Sequence, residues 1–201
     1  MFSKRFHRRV MLLAGVLGGA AVFAVAFALY ALWPSRQALG YEPEQPVNFS
    51  HKIMAGDVRI PCLHCHQDAE TGPHAGLPTV ETCMNCHNHV RPTDRNGNLR
   101  PDIAALLSYT DPDTHRPLRP IAWQKVHDLS DFAYFDHSRH TVGGRIPCVD
   151  CHGQVETMTR VQRVHPLTMG WCLDCHTKPA EGWRTDGRAT RGPIHCSTCH
   201  R

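Results

Sequence analysis

The sequence predicts a mainly α-helical and irregular chain with little sheet: one N-terminal transmembrane helix, then an exported domain that cannot build a core from its own side chains. Three observations predict it. Residues 10–33, VMLLAGVLGGAAVFAVAFALYALW, are an uninterrupted run of uncharged, mostly apolar positions. The rest of the 201-residue chain is poor in Leu, Ile, Val and Phe and rich in Pro, Asp, Arg and His, and so buries too little apolar surface to fold unaided. The ten Cys and sixteen His are far above ordinary usage. An ordinary soluble enzyme with a self-sufficient core is excluded, and something other than Leu and Ile must fill the interior.

The apolar run comes first. As a helix it spans about 36 Å, enough to cross a membrane with some tilt. Lys4, Arg5, Arg8 and Arg9 precede it, and only Arg36 follows before Glu42 and Glu44. By the positive-inside rule residues 1–9 form a cytoplasmic basic tail, 10–33 the transmembrane helix and 34–201 the exported part. The competing reading is a cleaved secretory signal, with Ala28–Ala31 as the cleavage site. The apolar core of such a signal runs only about 7–15 residues, so a retained anchor is favoured. The net charge of +4 belongs to the basic tail, because residues 10–201 carry 18 Lys/Arg against 18 Asp/Glu. No basic stripe points to nucleic acid.

All ten cysteines fall in five C-x-x-C-H frames. The first is Cys62, Cys65 and His66, and the second is Cys83, Cys86 and His87. The third is Cys148, Cys151 and His152, the fourth Cys172, Cys175 and His176, and the fifth Cys196, Cys199 and His200. This is the attachment motif of c-type haem. Two thiols three residues apart on one turn add to the two haem vinyl groups, and the next His is held over the iron as proximal ligand. Structural disulfides do not explain a His after every second Cys. Zinc ribbons take C-x-x-C pairs two at a time, and five leave one over. Thioredoxin-type dithiols need a βαβ pattern that is absent. At this His frequency, five of five by chance is on the order of three in a million. The sequence therefore predicts five covalently bound c-type haems that act as the core. Around them it predicts a short helical turn at each frame and a helix over Pro101–Tyr109 opened by its proline.

An internal repeat organises the frames. FSHKIMAGDVRIPCLHCH at 49–66 matches FDHSRHTVGGRIPCVDCH at 135–152 with a constant offset of 86. Each copy is followed by a second frame. The predicted division is a linker at 34–46, a first dihaem module at 47–90, a linker at 91–132, a second dihaem module at 133–180 and a fifth-haem segment at 181–201. The long linker is rich in Pro, Asp and Asn and reads as surface loop.

Low-spin electron-transfer haems want a second axial His or Met. Two residues three apart on one turn share a side but diverge, so F-x-H-x-x-H can serve two neighbouring haems. This nominates His51, His137 and His140 as distal ligands. Met54 stands where the second His of the first copy is expected. It is either a ligand that raises one potential or a packing residue. His74, in a Gly/Pro-rich turn between two frames, is a further candidate, and one of His165 and Met169 is another. His64, His89, His115, His127 and His195 read as bystanders.

The stretches GYEPEQPVNFSHKIMAG (40–56), HAGLP, ETCMNCH, WQKVHDLSDFAYFDHSRH (123–140) and TMGWCLDCH (168–176) resemble the pentahaem cytochrome c subunit of alternative complex III, a bacterial quinol:electron-acceptor oxidoreductase. The resemblance covers most of the exported part. It implies a subunit in the bacterial inner (cytoplasmic) membrane with its haem domain in the periplasm. Its partners would be an iron–sulfur subunit, membrane quinol-binding subunits, a monohaem cytochrome and membrane lipid. Two features depart from the pattern: Met54, and a linker at 100–120 longer and more polar than expected. The implied role is an electron relay with no substrate site of its own. The alternative is a single-helix-anchored quinol dehydrogenase feeding periplasmic reductases. It would oxidise quinol with an ionisable residue at the membrane face, whereas residues 10–33 hold none apart from Tyr30.

Overall fold

The computed structural model describes residues 3–32, 38–185 and 188–200, apart from the side chains of 180–185 and 188–190. Most of it is helical or irregular. Helix α1 (Lys4–Ala31) is capped by the Ser3 side chain, which accepts from the Phe6 amide at 3.3 Å. It is long and apolar enough to cross a membrane, and every residue in it is exposed. Its start takes in the basic tail as a continuous helix. Trp33, the last residue of the predicted span, lies outside the described residues.

The second unit, Leu39–Arg201, is built from short pieces. Five are the cysteine frames: α2 (Cys62–Cys65), α3 (Val80–His87), α5 (Cys148–His152), α6 (Met169–His176) and α7 (Cys196–Cys199). The sequence starts each in a recognisable way. Pro61 and Pro147, extended at ψ 145° and 147°, lead into α2 and α5. Thr79 and Thr168 cap α3 and α6 by accepting from the amides of Thr82 and Trp171. Pro101 opens α4 (Pro101–Leu107), two residues shorter than expected. Strands β1 (Ala180–Thr185) and β2 (Arg188–Thr190) pair antiparallel as one small ribbon.

The repeat is a repeat of backbone. The two copies, F-x-H-x-x-M at 49–54 and F-x-H-x-x-H at 135–140, run into π-turns, Lys52–Asp57 and Arg139–Gly143, rather than ordinary α-turns. Each is closed by an i→i+5 bond, Val58 N to Ile53 O at 2.8 Å and Gly144 N to Arg139 O at 2.9 Å. Each is followed by an arginine in the left-handed region, Arg59 at φ 63° and Arg145 at φ 52°. The two copies also pack on each other reciprocally. The first π-turn lies on the 3-10 turn Val155–Thr157, and the second lies on its counterpart Gln67–Glu70.

Conventional core is scarce. Val47, Val80, Met84, Leu106 and Ile121 form one buried cluster, with Cys83, Leu107, Tyr109 and Trp123 against it. Leu106, on the expected helix, and Ile121 both come from the linker 91–132, expected to lie at the surface. That stretch corrects the expectation by supplying the side of the cluster that seats the second cysteine frame. Apart from Val80 and Met84 of that frame's helix, no cysteine-frame helix has a buried residue.

Candidate functional site

The frames hold ten thiols, none of them in a disulfide, with the two of each frame on one helical turn. Within each frame the two differ in cover. Cys62, Cys86, Cys148, Cys175 and Cys196 are exposed, while Cys65, Cys83, Cys151, Cys172 and Cys199 are half-buried. The protein's own side chains therefore bury no thiol completely, even though Cys83 packs against the small core.

Imidazoles face one another in three pairs. The rings of His51 and His66 lie 6.5 Å apart with planes 1° from parallel. Those of His137 and His152 lie 6.3 Å apart at 4°. Those of His140 and His176 lie 6.0 Å apart at 38°. Two imidazoles that bind one metal from opposite sides, each through a bond of about 2.0–2.1 Å, put their ring centres roughly 6.3 Å apart. The three pairs have the spacing of axial ligands.

Hydrogen bonds orient the rings. Nδ1 donates to a backbone carbonyl from His66 (Gly76, 2.8 Å), His87 (Val90, 2.8 Å), His137 (Pro73, 2.8 Å), His140 (Asp136, 2.8 Å), His176 (Pro193, 2.7 Å) and His200 (Phe132, 3.2 Å). A ring that spends Nδ1–H on a carbonyl presents a bare Nε2, the tautomer a metal needs. Phe49 stands edge-on to His51 at 4.8 Å, and Phe135 edge-on to His137 at 4.9 Å while it stacks on His140 at 4.4 Å. The phenylalanine of F-x-H-x-x-H is thus a wedge that fixes the imidazoles.

Electrostatics agree. Burial, and then the neighbouring His66, lowers His51 to about 4. Burial, then His137, lowers His152 to about 4. Both stay neutral, with the lone pair available. Burial pushes the Cys83 and Cys151 thiols up to about 11, so neither is a reactive thiolate. Paired cysteines on one turn, and facing imidazoles of which His66, His137, His140 and His176 present a bare Nε2, fit a c-type haem.

Among the described residues no imidazole stacks opposite His87 or His200 in this way. Met54 is half-buried on the turn that matches His140. His74 is exposed and lines a hollow of about 210 Å³ with Pro73 and residues 131–135. His165 stacks on Trp171 at 5.2 Å, and Met169 is 65% exposed. His115 accepts from the Arg91 guanidinium at 2.8 Å.

Two residues escape sequence reasoning. His127, read as a bystander, stands edge-on to His152 at 4.4 Å, and its Nε2 is buried without a partner. Burial, then His152 and Arg163, lowers it to about 4. Arg163 is only 7% exposed. Its guanidinium donates to the Asp128 carbonyl, and its Nε has no partner. The one available signal was the uncommon run WQKVHDLSDF around His127.

Comparison with known proteins agrees with this geometry. Residues 133–201, which begin two residues before the F-x-H-x-x-H at 135–140, match the family model described as cytochrome c7 and related cytochrome c. A curated relative, the multiheme cytochrome c subunit of menaquinone reductase from Nitratidesulfovibrio vulgaris strain Hildenborough, is 30% identical over 138 residues, 67% of this chain. The chain spans about 60% of that relative's length. Five frames, three facing imidazole pairs and these likenesses converge: the chain is a multihaem cytochrome c that carries covalent c-type haems, and its residues 133–201 are similar to cytochrome c7.

Proposed function

We propose that this cytochrome is a membrane-anchored pentahaem electron relay within a quinol-linked membrane complex, of which alternative complex III is the favoured kind. The observation that carries the reading is the set of facing imidazoles. A haem supplies a one-electron iron couple, and two protein ligands on its iron leave no position for a substrate. The chain's residues therefore hold and insulate. The cysteine pairs tether the five haems, and His66, His87, His152, His176 and His200 bind from the proximal side. His51, His137 and His140 close the distal side. Met54 is the proposed distal partner of His87, because it occupies the backbone position of His140. His74, His165 and Met169 remain candidates opposite His200. Arg163, a buried cation with an unused donor, suits a haem propionate.

Helix α1 supports an inner-membrane anchor with the basic tail in the cytoplasm and the haem domain in the periplasm. The relative's name supports a partnership with quinone chemistry in other subunits, here an iron–sulfur subunit, quinol-binding membrane subunits and a monohaem cytochrome. Purification from native membranes tests the reading. The expected result is a chain whose mass includes five haems, co-purifying with iron–sulfur and integral membrane subunits and reduced by menaquinol only in their presence. A chain isolated alone that oxidises quinol by itself would overturn it in favour of a self-contained quinol dehydrogenase.

A further inference from the structure

The order of the haems along the relay is written in how the two repeats pack. Numbering the haems by their frames in chain order, we infer that they form one unbranched line, 2–1–3–4–5, whose ends are the haems of His87 and His200. The inference rests on the five-haem reading above.

The line is anchored at its middle by an approximate two-fold relation between the repeats. Cys62 and Cys148 are equivalent positions, 86 apart, and their thiols lie close enough to interact electrostatically. Equivalent residues meet each other only near a symmetry axis. The turns around them exchange partners in the same sense. Lys52 N donates to Met158 O at 2.8 Å, and a Cβ on Gly56 would drive into the Glu156 carbonyl. In return Thr141 Oγ1 donates to Ala69 O at 2.8 Å and Ser138 N to Gly72 O at 3.2 Å. Haems 1 and 3 are therefore central neighbours.

Each central haem has one outer neighbour. His137 and His140 sit three residues apart on one turn and face His152 and His176, so haems 3 and 4 are joined by a single π-turn. Cys172 and Cys175 both lie within electrostatic reach of Cys151, consistent with the same two haems being neighbours. In the first repeat the equivalent turn, of the same π form, carries His51 and Met54 in the places of His137 and His140. By the repeat it joins haem 2 to haem 1, and Cys83 and Cys86 lie within electrostatic reach of Cys65. The fifth frame breaks the symmetry at one end. His176 Nδ1 donates to Pro193 O, three residues before Cys196, and Cys199 lies within electrostatic reach of Cys172. Haem 5 thus extends the line beyond haem 4. The ends also differ in charge. Residues 177–201 carry five Lys/Arg against two Asp/Glu, whereas residues 67–132 carry six against nine. The two ends are built for different partners.

Nuclear Overhauser spectroscopy on the fully reduced, diamagnetic holoprotein reads the order directly. Inter-haem methyl cross-peaks are expected for pairs 2–1, 1–3, 3–4 and 4–5. A cross-peak from haem 2 to haem 4 or 5, or from haem 5 to haem 1, overturns the line. So does the absence of the 1–3 contact. A second measurement uses His51→Ala, which leaves haem 1 high-spin as a fast-relaxing probe. Pulsed EPR should show faster relaxation at haems 2 and 3 and none at haem 5. Accelerated relaxation at haem 5 contradicts the order. Mass spectrometry of the same samples counts haems. A count below five refutes the pentahaem reading, while a count of five with the wrong contacts refutes only the order.

Discussion

The two repeats share a backbone and differ in what hangs on it. Ile60 N donates to Met54 O at 2.9 Å, and Ile146 N to His140 O at 3.0 Å. At the same point of the same turn the first repeat therefore carries a thioether and the second an imidazole. The second frames differ as well. Met84, inside the second frame, is 3% exposed in the buried cluster, while its counterpart Leu173 in the fourth is only half-buried. The comparison teaches that ligand chemistry can change while the fold around it is kept. It also teaches that side-chain core was added only where the linker reaches.

The largest effect should come from removing what both repeats share. Expressed without haem attachment, residues 39–201 should show no cooperative unfolding and no near-UV circular dichroism. A cooperatively folded apo form would mean that the small cluster suffices and that haems are not the core. Next, Met84→Ala should destabilise the holoprotein by about 2–5 kcal/mol, and Leu173→Ala by distinctly less, measured by denaturant unfolding. Equal losses would erase the difference in core between the halves.

Met54→His makes the first turn match the second. A redox titration should show one potential lowered and the other four nearly unchanged, because a second imidazole replaces a thioether. An unaltered titration would assign Met54 to packing. The smallest effect concerns the shared backbone. Arg59 and Arg145 each hold a left-handed conformation that costs a side chain about 1–2 kcal/mol, so Gly at either site should be neutral or slightly stabilising. Loss of stability in one variant alone would show that the two turns are not equivalent.

Much of this was legible because covalent chemistry leaves fixed spacings. The long apolar helix, the five frames, the offset of 86 and the two phenylalanine–histidine turns can be read along the chain. What could not be read depends on distant segments meeting. Ile121 lies beside Arg119 and Pro120 without periodicity, so nothing local marks it as core, and Leu106, though at helical spacing from Ile103, gives no local sign of what its face packs against. His127 meets His152 from 25 positions away, and Arg163 is buried by folding rather than by its neighbours in sequence. Which imidazole faces which is likewise a tertiary fact. Spacing nominated His137 and His140 but did not say that they face His152 and His176. The π form of the turns was also hidden, since α- and π-turns share the same sequence pattern over so short a span.

The facing imidazoles carry the account, and His140 tests them most directly. EPR of oxidised His140→Ala holoprotein, with and without added imidazole, measures whether that ring closes an iron. The account predicts that one of five haems turns high-spin, that the other four keep their low-spin signals, and that free imidazole restores the fifth. Five low-spin haems in the variant before imidazole is added would contradict it.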